Sequence, residues 1–139
     1  MIIRGRHLLL LLSGLVLAAG CSKVSPPSEA ALAKTSIEKA DLFRDKGEWD
    51  KALAAYHEAI RLDPRSVPGY KGRAAVWMRM GLPDRAIVDL DEVIHLSPSD
   101  AEAYSTRGTA WMLRGEVGMG YQDWNEAARL DPRVRTGIY

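Results

Sequence analysis

The sequence predicts an all-α protein, an array of three 34-residue helix-turn-helix units. Three observations carry this. The string RLDP at Arg61–Pro64 returns as Arg129–Pro132, with HLSP at His95–Pro98 between them, so that Pro64, Pro98 and Pro132 stand 34 residues apart. Other positions keep the same phase: Gly47, Gly81 and Gly115; Phe43, Trp77 and Trp111; Leu62, Leu96 and Leu130; and the small residues Ala40, Ala74 and Gly108. Apolar residues recur at helical spacing on both sides of each glycine, and a fixed period of this size marks a repeat architecture.

The elements follow in order. In the first unit, Leu32 to Lys46 carries Ile37, Ala40 and Phe43 on one helical face, and Gly47 ends the helix where its tolerance of positive φ suits a turn. A second helix runs from about Asp50 to Leu62, with Leu53, Tyr56, Ala59 and Ile60 facing inward, and Asp63-Pro64 stops it. The second unit repeats this from about Pro68 to Met80 and from Pro83 to Leu96. Pro68 and Pro83 sit near helix starts, where a missing N–H costs little. The third unit runs from about Asp100 to Arg114 and from Gly118 to Leu130, with Ser99 or Asp100 available as a cap. The organisation read from the chain is a leader at 1–20, a tether at 21–30, units at 31–64, 65–98 and 99–132, and a tail at 133–139.

Ahead of the repeats, Arg4 and Arg6 precede the ten-residue apolar run LLLLLSGLVL at Leu8–Leu17, and the small residues Ala18, Ala19 and Gly20 follow. The run is too short for a bilayer span, which needs about 20 residues, and reads as an export signal. LAAGC, Leu17–Cys21, places the only cysteine directly after it. The stretch resembles the lipobox of bacterial lipoproteins, although Ala18 stands where leucine is commonest. The resemblance implies cleavage before Cys21, lipidation of its thiol and acylation of the new amino terminus. An ordinary leader that happens to leave a cysteine is the plainer alternative. A lone cysteine in an exported chain has no internal disulfide partner, so its place at the cut needs a reason. Each buried CH₂ contributes about 0.8 kcal/mol, so several acyl chains anchor a protein without spanning the membrane. Ser22, in place of a retention-signalling aspartate, implies by the same resemblance the outer membrane, facing the periplasm. Ser22–Ala30, with Pro26-Pro27 among serines, reads as an extended tether.

Without the leader the chain carries 17 basic and 18 acidic side chains. This balance gives no reason to expect nucleic acid. No Gly-rich phosphate loop, HExxH or GxSxG pattern occurs, and the three histidines have no partners at ligand spacing. The expectation is therefore neither an enzyme nor a holder of a metal or cofactor. Asp89, Asp91 and Glu92 read as a solvated acidic face. Trp49, Trp77, Trp111 and Trp124 read as packing residues.

The columns resemble the tetratricopeptide repeat: Tyr70, Ala74, Trp77, Gly81, Ala86, Leu90, Val93 and Pro98 in the second unit, and Tyr104, Gly108, Trp111, Gly115, Gly120, Trp124, Ala127 and Pro132 in the third. The first unit fits from Ala40 onward but has Ser36 at the opening aromatic position. The resemblance implies a right-handed α-solenoid whose first helices line a concave groove. The groove positions are Lys34, Ile37, Asp41, Arg44, Lys71, Ala75, Met78, Arg79, Ser105, Thr109, Met112 and Leu113. Met78 and Met112 suit flexible apolar contact, and Lys71 and Arg79 suit carboxylates. The family's clamp for a C-terminal carboxylate uses asparagines, and Asp41, Ala75 and Thr109 occupy one such column, which argues against that clamp here.

The implied role is an adaptor that binds another envelope protein or peptide segment in the groove, as in assembly of pili or secretion channels or recruitment of cell-wall enzymes. The alternative is a self-associating structural protein. The last helix carries Gly118 and Gly120, each costing about 1 kcal/mol in a helix interior, and an apolar outer face of Tyr121, Trp124 and Ala128. That face calls for cover by the tail Val134–Tyr139 or by a second molecule in a homo-oligomer. The lipidation reading makes one prediction: a fatty-acid analogue fed to producing cells labels the chain, and Cys21→Ser abolishes the label. A labelled Cys21→Ser chain would contradict it.

Overall fold

A computed structural model describes residues 25–136. Six helices occupy them: α1 Glu29–Asp45, α2 Trp49–Leu62, α3 Val67–Arg79, α4 Pro83–Leu96, α5 Ala101–Arg114 and α6 Val117–Leu130. Residues 1–24, which include the expected leader and Cys21, and residues 137–139 lie outside the described residues. None of the six helices is long and apolar enough to cross a membrane.

The first helix of each unit starts on a side-chain cap. Ser28, Ser66 and Asp100 accept from the backbone N–H of Ala31, Gly69 and Ala103, satisfying donors that a helix start leaves free. Each first helix ends at a glycine with positive φ: Gly47 at 73°, Gly81 at 72° and Gly115 at 93°. The closing hydrogen bonds repeat as well. The Gly47 N–H donates to the Arg44 carbonyl and the Glu48 N–H to the Phe43 carbonyl, both at 2.9 Å, with counterparts at Gly81/Leu82 and Gly115/Glu116. This paired pattern needs a residue in the left-handed region, which glycine enters without strain. Each second helix ends at a residue that leaves helical backbone geometry before a proline, extended at Asp63 and Asp131 and close to it at Ser97, as a following proline favours.

Helices pack in pairs, α1 on α2, α3 on α4 and α5 on α6, and the pairs join through α2 on α3 and α4 on α5. Small residues set the pair distance. Ala40, Ala52, Ala74 and Ala86 are fully buried. In the third unit both partners are glycines, and a Cβ on Gly108 or Gly120 would lie 2.9 Å from the carbonyl oxygen of the other. Tyr56, Leu90 and Val93 are buried between the pairs.

Two buried ion pairs also repeat in phase. Arg73 on α3 donates to both carboxylate oxygens of Asp89 on α4, at 2.9 and 2.6 Å, and Arg107 on α5 does the same to Asp123 on α6, at 2.8 Å each. Each guanidinium also reaches back to the preceding second helix. Arg73 meets the His57 Nδ1 at 2.9 Å, and Arg107 donates to Asp91 at 2.7 Å. Each arginine thus ties three helices, and it lies over the ring of Tyr70 or Tyr104 in its own helix. Hydrogen bonding to Asp123 raises the Arg107 pKa further. The expectation of a solvated acidic face at Asp89, Asp91 and Glu92 is corrected here: Asp89 is buried in an ion pair and Asp91 is an acceptor in the next joint. The first unit has no such pair, because Lys39 and Ala55 occupy the Arg73 and Asp89 columns.

Two predictions follow from this packing. Gly108→Ala places its Cβ 2.6 Å from the Trp124 ring and lowers stability by about 1–3 kcal/mol despite the better helix former. Gly118→Ala meets nothing within 4 Å and raises stability by up to about 1 kcal/mol. Thermal unfolding of both variants checks the pair, and an equal effect in both would contradict it. Separately, burial and the Arg73 charge hold the His57 imidazole below its ordinary pKa. Near and below about 6.5 the unfolded chain then binds more protons than the folded one, so stability falls as pH drops through that range. His57→Asp, which copies Asp91, removes this contribution to the acid slope of denaturant midpoints; an unchanged slope would contradict it.

Candidate functional site

The first helices place five of the expected groove residues around one cleft of about 440 Å³: Ile37, Asp41 and Arg44 from α1, Lys71 and Ala75 from α3. Val67, Pro68, Gly72 and Leu90 complete its wall, and Glu102 and Thr106 of α5 close the far side.

The cleft's charges are already partnered. Arg44 pairs with Asp41 at 2.7 Å and with Asp45 at 3.2 Å, and donates to the Tyr56 hydroxyl at 3.0 Å. The Tyr56 O–H in turn donates to Asp41. Burial, followed by that bond to the Asp41 carboxylate, pushes the Tyr56 phenol well above its ordinary pKa, so it stays neutral and acts as a fixed donor. Lys71 reaches Asp100 at 3.0 Å and Glu102 at 2.5 Å. Burial works against the Lys71 charge, but hydrogen bonds to these two carboxylates outweigh it and its pKa rises. Asp100 also caps α5, so Lys71 fixes the start of α5 beside the cleft.

The other expected groove residues lie elsewhere. Met78 packs against the core. Met112 covers Gly120, where a Cβ would come within 2.6 Å of its Cγ and Sδ, so it is a packing residue of the α5–α6 pair. Ser105 is buried, and its hydroxyl donates to the Arg135 carbonyl of the tail. Thr109 folds its hydroxyl back onto the Ser105 carbonyl at 3.0 Å. Arg79 lines a separate depression with Arg44, Asp45, Lys46 and Trp49. Lys34 lines another with Ala33, Ile37 and Val67. Leu113 is exposed outside the cleft.

The face expected on α6 is also revised. Trp124 is buried, and its indole N–H donates to the Ser105 carbonyl at 3.2 Å because Gly108 leaves room for the ring. Tyr121 stays exposed, meeting Trp124 edge to face at 5.7 Å, and Ala128 is exposed too. The described part of the tail touches α5 and leaves Tyr121 uncovered.

Sequence reasoning missed Glu102 and Thr106 as lining residues. The signal was present: Glu102 lies 31 residues after Lys71, close to one repeat period, which sets the two on neighbouring first helices. Among the described residues no cluster of three or more His, Cys, Asp or Glu is placed to hold a metal ion.

A family profile described as TPR repeat matches residues 40–81. A curated relative, chloroplastic outer envelope protein 64 of Arabidopsis thaliana, is 33% identical over 67 residues. The match spans 43% of this chain and only 11% of that protein. The Arabidopsis OM64 TPR domain superposes with a TM-score of 0.74 at 24% identity, covering 77% of this chain and 88% of that one. The first TPR of Spaghetti (RPAP3), bound to an HSP90 peptide, gives 0.73 at 24%, covering 76% and 83%. The TPR2B domain of yeast Sti1, in a complex with a pHsp70 partner, gives 0.70 at 26%, covering 73% and 82%. The fold is the all-α helical repeat of these TPR domains.

Proposed function

We propose that this chain is a protein-interaction adaptor that takes a peptide or helix of a client protein into the cleft between α1, α3 and α5. The observation that carries the reading is the cleft itself: an apolar wall of Ile37, Val67, Ala75 and Leu90 beneath a rim of fixed charges. Such a combination suits a peptide, with apolar anchors for affinity and placed polar groups for orientation. Two of the similar TPR domains, those of Spaghetti and Sti1, are in complexes with an HSP90 peptide and with pHsp70, which supports a partner-binding use of this fold. The client chemistry differs from a carboxylate clamp, since Asp41, Ala75 and Thr109 stand in an asparagine column and both cleft cations are held by the chain's own carboxylates.

The place of action belongs to the same proposal. The LAAGC stretch supports lipidation at Cys21, which would tether the cleft at a bacterial membrane, the outer membrane facing the periplasm in our reading. The client is then another envelope protein, in assembly of a pilus or secretion channel or in recruitment of a cell-wall enzyme. A short cleft gives modest affinity, and a membrane-held client gains from effective concentration.

Ala75→Arg tests the cleft, because the new side chain fills it while its charge reaches solvent. In cells, crosslinked recovery of the client falls roughly tenfold or more, as for loss of a central contact, while circular dichroism stays unchanged. Equal recovery by the folded variant would move binding away from the cleft.

A further inference from the structure

The repeat columns expose a second pair of surfaces that the adaptor reading does not use. Inside the molecule, each joint between units buries one flank of a first helix against the second helix before it. Val76 of α3 and Ala110 of α5 are 0% exposed in those joints. Leu42 stands in the same column of α1 and is 62% exposed. The opposing side of the joints is formed by Leu53 of α2 and Ile87 of α4, 8% and 4% exposed. Tyr121 stands in that column of α6 and is 46% exposed.

The polar links of the joint show the same pairing. Arg73 and Arg107 reach back to His57 and Asp91. One period before Arg73 is Lys39, which makes no ion pair among the described residues and lies 5.8 Å from the Phe43 ring centre. One period after Asp91 is Asn125, exposed on α6, with a side-chain carbonyl that can accept a hydrogen bond. Beside Lys39 is a hollow of about 420 Å³ lined by Ser36, Phe43 and Ala55. The other units fill those columns with Tyr70 and Asp89, and with Tyr104 and Asp123. Lys39 therefore has no buried carboxylate in its own unit to hold it.

We propose that a second copy of this chain fills the gap: α6 of one copy docks on α1 of the next, as α2 docks on α3 and α4 on α5. Tyr121 then covers Leu42, and Lys39 donates to Asn125. The two surfaces differ, so the contact is heterologous and open-ended, building a head-to-tail stack. A lysine on a neutral amide replaces the arginine-carboxylate link of the internal joint at Arg107, so the stack is weaker than the fold and depends on concentration.

The test uses the full chain in a mild nonionic detergent, followed by sedimentation velocity across a wide concentration range. Wild type shows an average mass that rises with concentration. Leu42→Glu and Tyr121→Glu each stay monomeric, because each has lost one of the two surfaces. Their equimolar mixture forms a one-to-one complex and nothing larger, through the intact α6 of the first and the intact α1 of the second. Should Tyr121→Glu lose helicity, the exposed substitution Ala128→Glu takes its place. A wild type that stays monomeric throughout would overturn the proposal. So would a single variant that still self-associates, since that requires a like-on-like contact or one elsewhere, and so would a mixture that stays monomeric.

Discussion

The fold depends on one constraint: the two helices of each unit approach closely at a pair of small residues. Ala40 with Ala52 and Ala74 with Ala86 provide this in the first two units, and Gly108 with Gly120 in the third. Close approach lets large residues reach across the pair, which is how Tyr56 comes to be fully buried with its hydroxyl emerging at Asp41 and Arg44 in the cleft. Where glycine replaces alanine the extra space is filled at once, by the Trp124 ring over Gly108 and by Met112 over Gly120. The same contact therefore fixes which side chains are free for a partner. Met112 is not among them, because the glycine beneath it needs cover.

The second level of order is polar. Arg73 and Arg107 act as bolts through three helices, and Lys71 ties the cleft wall to the cap of α5. A buried pair of this kind adds little over well-packed apolar residues, but losing one partner leaves a stranded charge and costs several kcal/mol, about 3–5. The joints are not identical, since His57 closes the first and Asp91 the second. Acid therefore bears unequally on two joints of otherwise similar build. The cleft inherits the rigidity of these links: its cations are oriented by neighbours before any partner arrives, which lowers the ordering cost of binding.

Much of this was legible in the chain. The period located all six helices, and the glycine and proline columns marked their ends because positive φ and the pre-proline restriction act locally. The apolar spacing starts α1 only at Leu32, whereas the Ser28 cap carries the helix back to Glu29, into the stretch read as tether. Side-chain destinations were harder. Trp124 read both as a packing residue and as part of an outer face; it is buried, turned inward over a glycine sixteen positions earlier in the chain, a contact fixed by helix crossing that helical periodicity alone does not show. Asp89 read as solvated for the same reason. Its partner Arg73 lies on the facing helix, although the in-phase recurrence of both at Arg107 and Asp123 was a readable sign of pairing. Ser105 looked free for a partner, but the chain's own tail engages it.

The most direct measurement is site-specific photocrosslinking in the native cells, with a benzophenone side chain placed either at Ala75 in the cleft or at Val88, exposed on α4. The account predicts one protein captured from position 75 and not from position 88. Capture from position 88, with none from position 75, would contradict the cleft as the binding surface.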